Sequence, residues 1–269
     1  MRVLVDFTKM NGAGNDFVMI DNREIGLQLT TEQIQKICHR QRGVGADGIL
    51  LLRLAKGDAD FGWDFFNQDG SEGEMCGNGA RCFARFAQCH LDGRKALSFE
   101  TLAGVIEARL DGESVTVGLT PPQDFRISDR IGTSSGELEI HSVNTGVPHA
   151  VLFVDAADAA LVSELGREIR YHEHYAPAGT NVNFVQHNGD GSIRVRTYER
   201  GVGETLACGT GVSASALITA KLDECGSPVS VRVLGGDDLA VAFERNGDAF
   251  ANVKLTGPAE FVYSGQIEI

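Results

Sequence analysis

Alternating polar and apolar positions predict short strands over much of this chain. The clearest alternation lies in Ser192–Glu199, where isoleucine, valine and threonine alternate with Arg194, Arg196 and Tyr198. Asp60–Asn67 has the length and composition of an equivalent strand earlier in the chain. A period of two is typical of a strand with one buried face. The pattern therefore predicts a strand-rich protein.

Other segments are assigned by short apolar runs, glycines and helix signals. Further strands are predicted within Asp6–Asp21, Gly48–Arg53, Ser114–Val117 and Val229–Val233, and loops over Gln68–Met75 and Arg200–Ala207. Helices are predicted over Thr30–Gln41, Ala80–His90 and Val212–Leu222. In the first helix, Thr30 and Gln33 have the spacing of a capping box. The other two have few polar residues on any face, so we expect each to be a buried central helix.

Two stretches of the chain resemble each other. Cys76–Arg81 reads CGNGAR and Cys208–Ser213 reads CGTGVS, and they are 132 residues apart (208 − 76), close to half of the 269-residue chain. Asn67 and Glu199 each stand nine residues before their cysteine, in the same register. A shared register over several motifs predicts a duplicated protein.

The boundary between the two halves is predicted at Pro121 and Pro122, because proline interrupts strand pairing. This gives residues 1–122 with the first cysteine motif and residues 123–269 with the second, and the last strand can return to the first half. The predicted fold is α+β, with two pseudo-symmetric strand-rich domains, each a sheet wrapped around a central helix.

Charge and composition exclude several classes of function. The 37 acidic residues outnumber the 24 basic ones, the formal net charge is −13, and Lys and Arg form no stripe. Binding to nucleic acid is therefore not expected. Met1–Asp6 lacks the apolar core of a signal peptide, and no apolar run is long enough to span a membrane. We expect a cytoplasmic protein in which the six cysteines are thiols.

Cys76 and Cys208 stand where the sequence predicts helices to begin. A helix N-terminus has unpaired N–H groups and partial positive charge, so it should favour the thiolate and lower the pKa of each thiol. The N–H groups after each cysteine can hold a carboxylate. We expect the two helix ends to meet in a cleft, with a thiol on either side of a substrate α-carbon. Such a site would invert a stereocentre by proton transfer, without a metal or other cofactor.

Three motifs closely resemble those of the diaminopimelate epimerase family. They are Asn11–Phe17 (NGAGNDF), Cys76–Cys82 (CGNGARC) and Tyr198–Gly211 (YERGVGETLACGTG). The resemblance covers nearly the whole chain. It implies a cofactor-independent isomerase that interconverts LL- and meso-diaminopimelate by a two-base thiolate and thiol mechanism, in the synthesis of lysine and peptidoglycan precursors. It also implies an active site between two pseudo-symmetric domains.

The resemblance also implies roles for individual residues. Cys76 and Cys208 match the two catalytic thiols, while His149 and Glu199 match a pair that tunes their pKa values. Tyr263 matches an aromatic residue linked to dimerisation, so a homodimer is expected. The residues that match the substrate-binding positions are Asn15, Asn67, Gly77, Asn78, Asn181, Glu199, Arg200, Gly209 and Thr210.

The implied partner is a small diamino diacid. The planar guanidinium of Arg200 can bind its distal carboxylate through two parallel hydrogen bonds. Two positions depart from the family pattern: Gly48 stands where some members have glutamine, and Val147 where asparagine is frequent. Each removes a polar side chain from the expected cleft, and we interpret both as tolerated variants.

Other interpretations must be weighed against this one. A related two-thiol racemase could act on proline or histidine, but proline would leave Arg200 without a carboxylate partner. A thiol-redox or metal-binding module predicts paired CxxC motifs, which the sequence lacks. A zinc site formed by Cys76, Cys82, Cys89 and His90 is excluded, because spacings of six and seven residues do not converge as zinc ligands do. A non-catalytic binding protein is expected to have lost one of the motif cysteines. The remaining cysteines are expected to contribute only to packing: Cys38, Cys82, Cys89 and Cys225.

Overall fold

The computed structural model describes residues 3–223 and 225–269, and these form seventeen strands and four α-helices. The strands are β1 Leu4–Gly12, β2 Asn15–Asp21, β3 Gly48–Arg53, β4 Phe61–Asn67, β5 Ala96–Thr101, β6 Gly104–Asp111, β7 Ser114–Gly118, β8 Gln123–Thr133, β9 Gly136–Asn144, β10 Pro148–Phe153, β11 Asn181–His187, β12 Ile193–Glu199, β13 Gly203–Thr205, β14 Val229–Val233, β15 Asp238–Asn246, β16 Ala249–Pro258 and β17 Glu260–Glu268. The α-helices are α1 Thr31–Cys38, α2 Gly77–Gln88, α3 Val162–Arg170 and α4 Gly209–Asp223, and two 3-10 helices span Ala157–Ala159 and Glu173–Tyr175.

The chain divides into two compact units. The first contains the residues up to Val117 together with Gly257–Ile269, and the second contains Gly118–Thr256. Strand β17 at the end of the chain therefore lies in the first unit.

Strand pairing in the first unit follows a simple order. From β1 to β7, successive strands pair in sequence, and only β2 with β3 and β4 with β5 are parallel. Strand β17 pairs antiparallel with β1 on its other side. Both parallel connections contain a helix, α1 in the first and α2 in the second, as parallel pairing requires a long crossover.

The second unit repeats this pairing. Strands β9, β10, β11, β12, β14, β15 and β16 pair in that order, and the parallel pairs are again the second and the fourth. Strand β8 pairs with β9 as β17 pairs with β1. Helices α2 and α4 begin 132 residues apart (209 − 77), and so do β4 and β12 (193 − 61). The α+β fold with two similar strand-rich halves is confirmed.

In each unit one helix packs on either face of the sheet. In the first unit α1 covers one face, where Ile34 and Ile37 join Val18, Ile20 and Ile49 in one apolar cluster. The opposite side chains of the same strands face α2. A central strand covered on both faces should be apolar throughout, and β3 is buried from Gly48 to Leu52.

The two central helices are buried as the sequence predicts. Residues 211–220 of α4 are all buried, and in α2 every residue from Gly77 to Ala84 is buried. The capping box of α1 is also confirmed, because Thr30 and Gln33 exchange the expected bonds. One assignment was incomplete: the predicted loop Arg200–Ala207 contains β13, which pairs with the end of β12. No helix in the described part of the chain is long and apolar enough to cross a membrane.

Candidate active site

Cys76 is the N-cap residue of α2. Its backbone is extended (φ −145°, ψ 117°), and its carbonyl accepts the first bond of the helix from Ala80 N at 2.7 Å. Its sulfur accepts a hydrogen bond from Gly79 N at 3.4 Å. Sulfur therefore takes the place of the side-chain oxygen that usually caps a helix. The prediction that this cysteine begins a helix is confirmed.

Cys208 has the same place before α4. Its carbonyl accepts from Val212 N at 2.8 Å, and its sulfur accepts from Gly211 N–H. The expected lowering of the thiol pKa is wrong here, because burial and the Glu199 carboxylate raise the pKa of Cys208 well above its usual value. The Thr210 hydroxyl and the Gly211 N–H lower it, but burial outweighs both.

Asn15 lies against the Cys76 sulfur. Its Oδ1 is 3.7 Å from Cys76 Sγ and accepts from Asn78 Nδ2 at 3.5 Å. Its Nδ2 donates to Asp47 Oδ2 at 2.7 Å. Because Asp47 only accepts hydrogen bonds when ionised, it turns the amide oxygen of Asn15 towards the cysteine. We call Asn15, Cys76, Gly77 and Asn78 the first half-site.

Two basic residues bind Asp47 and its neighbour Asp16. Arg40 binds both Asp16 and Asp47, at 2.9 Å and 2.8 Å, and Lys9 binds Asp16 at 2.8 Å. Burial alone would raise the pKa of Asp16, but Arg40 and Lys9 together lower it to about 2. Burial raises the pKa of Asp47.

In the second unit, His149 reaches Cys208 through a threonine. His149 Nε2 is 2.9 Å from Thr210 Oγ1, which is 3.5 Å from Cys208 Sγ. The ring is 1% exposed, and burial, assisted by the positive charge of Arg200, lowers the pKa of His149 to about 3. His149 is therefore neutral at physiological pH. We call His149, Glu199, Cys208, Gly209 and Thr210 the second half-site.

Glu199 and Arg200 stand at the end of β12. The Glu199 carboxylate raises the pKa of the Cys208 thiol through its negative charge and a hydrogen bond. It also accepts a hydrogen bond from Thr205 Oγ1 at 2.6 Å. The Arg200 backbone N–H donates to Asn181 Oδ1 at 2.8 Å. Within the described part of the chain, the guanidinium hydrogen-bonds only to the carbonyl of Ala178, at 3.4 Å. It makes no ion pair with any carboxylate in the described residues, so a salt bridge does not account for Arg200.

The remaining sequence-predicted positions have less specific surroundings. Asn67 donates to Ser71 Oγ at 3.1 Å and ends β4. Val147 is half-buried in the turn before β10. A Cβ at Gly48 would lie 2.7 Å from Phe66 O, so no larger residue fits there without a shift of the backbone. Tyr263 is 47% exposed on β17 and donates to Val44 O at 3.3 Å.

The other four cysteines do not all pack as expected. Cys38 and Cys82 are buried, and burial raises the pKa of each to about 12. Cys225 is half-buried, but Cys89 is exposed, because it follows the last turn of α2. The packing role predicted for Cys89 is therefore wrong. No group of three or more potential metal ligands occurs among the described residues.

Three residues that orient the site were not predicted from the sequence. Asp47 fixes Asn15, and Asn183 and Thr197 contact His149 directly or through each other. A signal for Asn183 was present, because Asn181 and Asn183 alternate with apolar residues in a strand buried throughout this stretch. Asparagine is rare in strands, so two at this spacing indicate a polar requirement on one face.

Comparisons with known proteins identify relatives of this chain. The family model described as diaminopimelate epimerase matches residues 7–124 and 141–262. A diaminopimelate epimerase from Hydrogenobaculum sp. is 45% identical over 97% of this chain and 97% of its own length. Another from Aquifex aeolicus is 43% identical over 98% of each.

Solved structures show the same fold at low sequence identity. A hydroxyproline epimerase from Agrobacterium vitis covers 100% of this chain and 94% of its own, with a TM-score of 0.78 and 19% identity. A PhzF-family phenazine biosynthesis protein from Bacillus anthracis covers 99% of this chain and 100% of its own, with a TM-score of 0.77 and 16% identity. These two likenesses concern the fold alone. The family model and the close relatives together show that the chain belongs to the diaminopimelate epimerase family.

Proposed function

We propose that this protein is an isomerase that interconverts LL- and meso-diaminopimelate by moving the α-proton between two cysteines. The observation that carries the proposal is the duplicated cysteine cap: each unit begins its central helix with a cysteine followed by glycine. Membership of the diaminopimelate epimerase family supports the substrate.

The chemistry follows from the helix ends. The N–H groups of Gly77, Asn78, Gly209 and Thr210 lie in first turns, where backbone donors lack intrahelical partners. Donors of this kind hold a carboxylate and stabilise the negative charge that develops on it when the α-proton leaves. One cysteine, as thiolate, takes the α-proton, and the other, as thiol, returns a proton to the opposite face. Electrons and protons balance without a redox partner or cofactor.

Glu199 is proposed to control the protonation of Cys208. Burial raises the pKa of the thiol, so Cys208 is protonated and can serve as the proton donor. In the reverse direction Cys208 must lose its proton, and Glu199 is the adjacent carboxylate that can accept it. The bond from Thr205 holds Glu199 in this position. Together they let one cysteine work in both directions.

Arg200 is proposed to select the substrate. Its guanidinium has no carboxylate partner among the described residues, and Asn181 fixes the backbone from which it extends. A diamino diacid supplies a distal carboxylate for Arg200 and a distal ammonium for Asn67 and Asn181. Proline and histidine have no second carboxylate. Their turnover would indicate a different substrate class.

We also propose a pathway and a compartment for the protein. The reaction belongs to the synthesis of lysine and peptidoglycan precursors, and the protein is cytoplasmic. All six cysteines are free thiols, as expected in a reducing compartment. We also propose a homodimer formed through β17, on which Phe261, Val262 and Tyr263 are 44%, 54% and 47% exposed. Exposed apolar side chains that form one contiguous patch mark a protein interface.

Incorporation of solvent deuterium at the α-carbon tests the reaction. In D₂O, LL- and meso-diaminopimelate should each gain deuterium as they interconvert, whereas proline and histidine should not. Incorporation into proline or histidine, but not into diaminopimelate, would reject the proposed substrate.

Replacement of each cysteine tests the two-base mechanism. Cys76→Ala and Cys208→Ala should each abolish epimerisation, because each direction needs one base and one acid. Cys89→Ala is the matched control, since it removes an exposed thiol from the end of α2 and should leave activity unchanged. Full activity in either of the first two variants would exclude a mechanism that uses both thiols.

A further inference from the structure

Three buried polar residues pack beneath the first turn of α4, which follows Cys208. His149, Asn183 and Thr197 come from neighbouring strands β10, β11 and β12 and are 1%, 0% and 3% exposed. All three would contact a Cβ added at Gly211 in the first turn of α4. We call these three residues the polar triad.

The first unit has apolar residues in the same places. A Cβ added at Gly79, 132 residues before Gly211, would meet Phe17 and Leu50. Leu50 pairs across the sheet with Phe65, as Asn183 pairs with Thr197. The fold is therefore built at this position with three apolar side chains. Since the architecture does not require polar groups here, the polar triad needs an explanation in function.

Hydrogen bonds fix the amide of Asn183. One N–H donates to Ala150 O at 2.9 Å, and a backbone carbonyl can only accept. The Thr197 hydroxyl is 2.9 Å from Asn183 Oδ1 and donates to it. A flipped amide would set its oxygen against the carbonyl of Ala150. The second N–H of Asn183 consequently points to His149 Nδ1, at 3.1 Å.

The tautomer of His149 follows from this amide. Because Nδ1 accepts from Asn183, the single ring proton of the neutral imidazole is on Nε2. Nε2–H then donates to Thr210 Oγ1 at 2.9 Å. With its oxygen accepting from His149, the Thr210 hydroxyl can direct its own hydrogen to Cys208 Sγ at 3.5 Å. Every donor in this series has one acceptor.

We propose that Asn183 and Thr197 are positioning residues that hold His149 as a hydrogen-bond donor, so that the Thr210 hydroxyl stabilises the Cys208 thiolate. His149 then does not act as the base for Cys208, because neither ring nitrogen can accept the proton of the thiol. Two charged neighbours also affect these groups. The Glu199 carboxylate raises the pKa of Cys208 and so disfavours the thiolate, and the Arg200 guanidinium lowers the pKa of His149 and so disfavours its protonated form. The catalytic consequence rests on the proposed function, but the tautomer and the thiolate can be measured without turnover.

The tautomer is tested by nitrogen NMR of His149 in the full-length protein labelled with ¹⁵N. We expect Nδ1 to have the shift of an unprotonated nitrogen and Nε2 that of a protonated one. In Asn183→Leu and Thr197→Val we expect signals of the Nδ1–H tautomer, and Thr197→Ser should restore the wild-type pattern. A wild-type protein with the proton on Nδ1 would overturn the proposal.

The thiolate is tested by the rate at which methyl methanethiosulfonate modifies Cys208, followed by peptide mass across pH. We expect Thr210→Val to lower the thiolate fraction of Cys208 at neutral pH about 10- to 100-fold, since a hydrogen bond to a charged group is worth that much. The reaction should slow by a smaller factor, because a more basic thiolate is more nucleophilic. Thr210→Ser should react at the wild-type rate. Unchanged rates in Thr210→Val and Asn183→Leu would overturn the proposal.

Ser215→Ala is the matched control for both measurements. Ser215 is a buried hydroxyl of α4 that donates to Gly211 O at 2.8 Å and lies outside the polar triad. Its loss should alter neither the His149 tautomer nor the Cys208 rate. If it alters them as much as Asn183→Leu does, the triad acts only through packing and the proposal is wrong. A wild-type protein that has the expected His149 tautomer but does not epimerise diaminopimelate would instead contradict the proposed function.

Discussion

Gly79 and Gly211 occupy equivalent places in the first turns of α2 and α4, so an alanine at each provides a matched experiment. A Cβ at Gly211 would lie closer to Asn183 Oδ1 than the 3.0 Å that Cβ atoms tolerate. A Cβ at Gly79 would instead lie 3.3 Å from Leu50 Cδ1 and 3.4 Å from Phe17 Cε1. The same added methyl group therefore clashes with a hydrogen-bonded amide in one unit and makes only slightly short contacts with apolar side chains in the other.

The two substitutions should change the free energy of unfolding differently. Asn183 is fully buried and held by three hydrogen bonds, so it cannot move without breaking one. Overpacking at such a site costs about 1–3 kcal/mol, against a gain of roughly 0.5–1 kcal/mol from replacing glycine in a helix. We expect Gly211→Ala to lose about 1–2 kcal/mol, and Gly79→Ala to be neutral or slightly stabilised.

Thermal unfolding of the two variants measures this difference. For a protein of this size, 1 kcal/mol corresponds to roughly 2–4 °C in the unfolding midpoint. Gly211→Ala should therefore unfold several degrees below both the wild type and Gly79→Ala. Equal shifts in the two variants would refute the claim that the polar triad makes these equivalent positions different.

Three further outcomes are expected. Arg200→Ala should lower kcat/KM for diaminopimelate roughly 30- to 5,000-fold, which corresponds to a loss of about 2–5 kcal/mol in transition-state stabilisation. Arg194→Ala, which loses only an ion pair with the exposed Asp158, should leave kcat/KM unchanged. An Arg200→Ala enzyme with wild-type activity would remove the main chemical support for the substrate. The folded-state pKa of Asp16 is lowered to about 2, so its stabilisation is present above about pH 4 and is lost as the pH falls towards 2. Asp16→Asn should make acid unfolding less steep over that interval, and an unchanged profile would contradict this account. Tyr263→Ala should have the mass of a monomer by light scattering. Tyr171→Ala, a change at a 69% exposed position, should keep the mass of a dimer. A dimeric Tyr263→Ala protein would exclude the proposed interface.

Much of the fold could be predicted because local signals agree with tertiary position. The prediction for β3 matches the observed Gly48–Arg53, since a short apolar run before an arginine is unambiguous. The shared register of the two cysteine motifs predicted the repeat, because each copy begins the equivalent helix of its half. The hairpin of β8 and β9 was not predicted, although Phe125, Ile127 and Ile131 of β8 alternate with polar residues, because Asp129 interrupts the apolar face.

The chemistry of the site could be predicted only in part. Residue identity is sufficient to indicate two capping cysteines and an arginine that can bind a carboxylate. Burial is a property of the folded chain, so the raised pKa of Cys208 could not be inferred from its place at a helix end. The orientation of Asn183 depends on Ala150 and Thr197, which come from neighbouring strands and have no sequence motif in common.

The return of β17 to the first unit has a consequence for synthesis on the ribosome. Ile267 and Ile269 pack against the first core, and Val3 and Ile269 exchange two backbone hydrogen bonds, at 3.1 Å and 2.9 Å. The second unit, by contrast, is one uninterrupted segment of chain. It emerges whole before β17 has been made, while β1 still presents an open sheet edge, which is the kind of surface that pairs with other chains. The half that emerges first is therefore the last to be completed, and a chain that stops before β17 leaves the edge of β1 exposed.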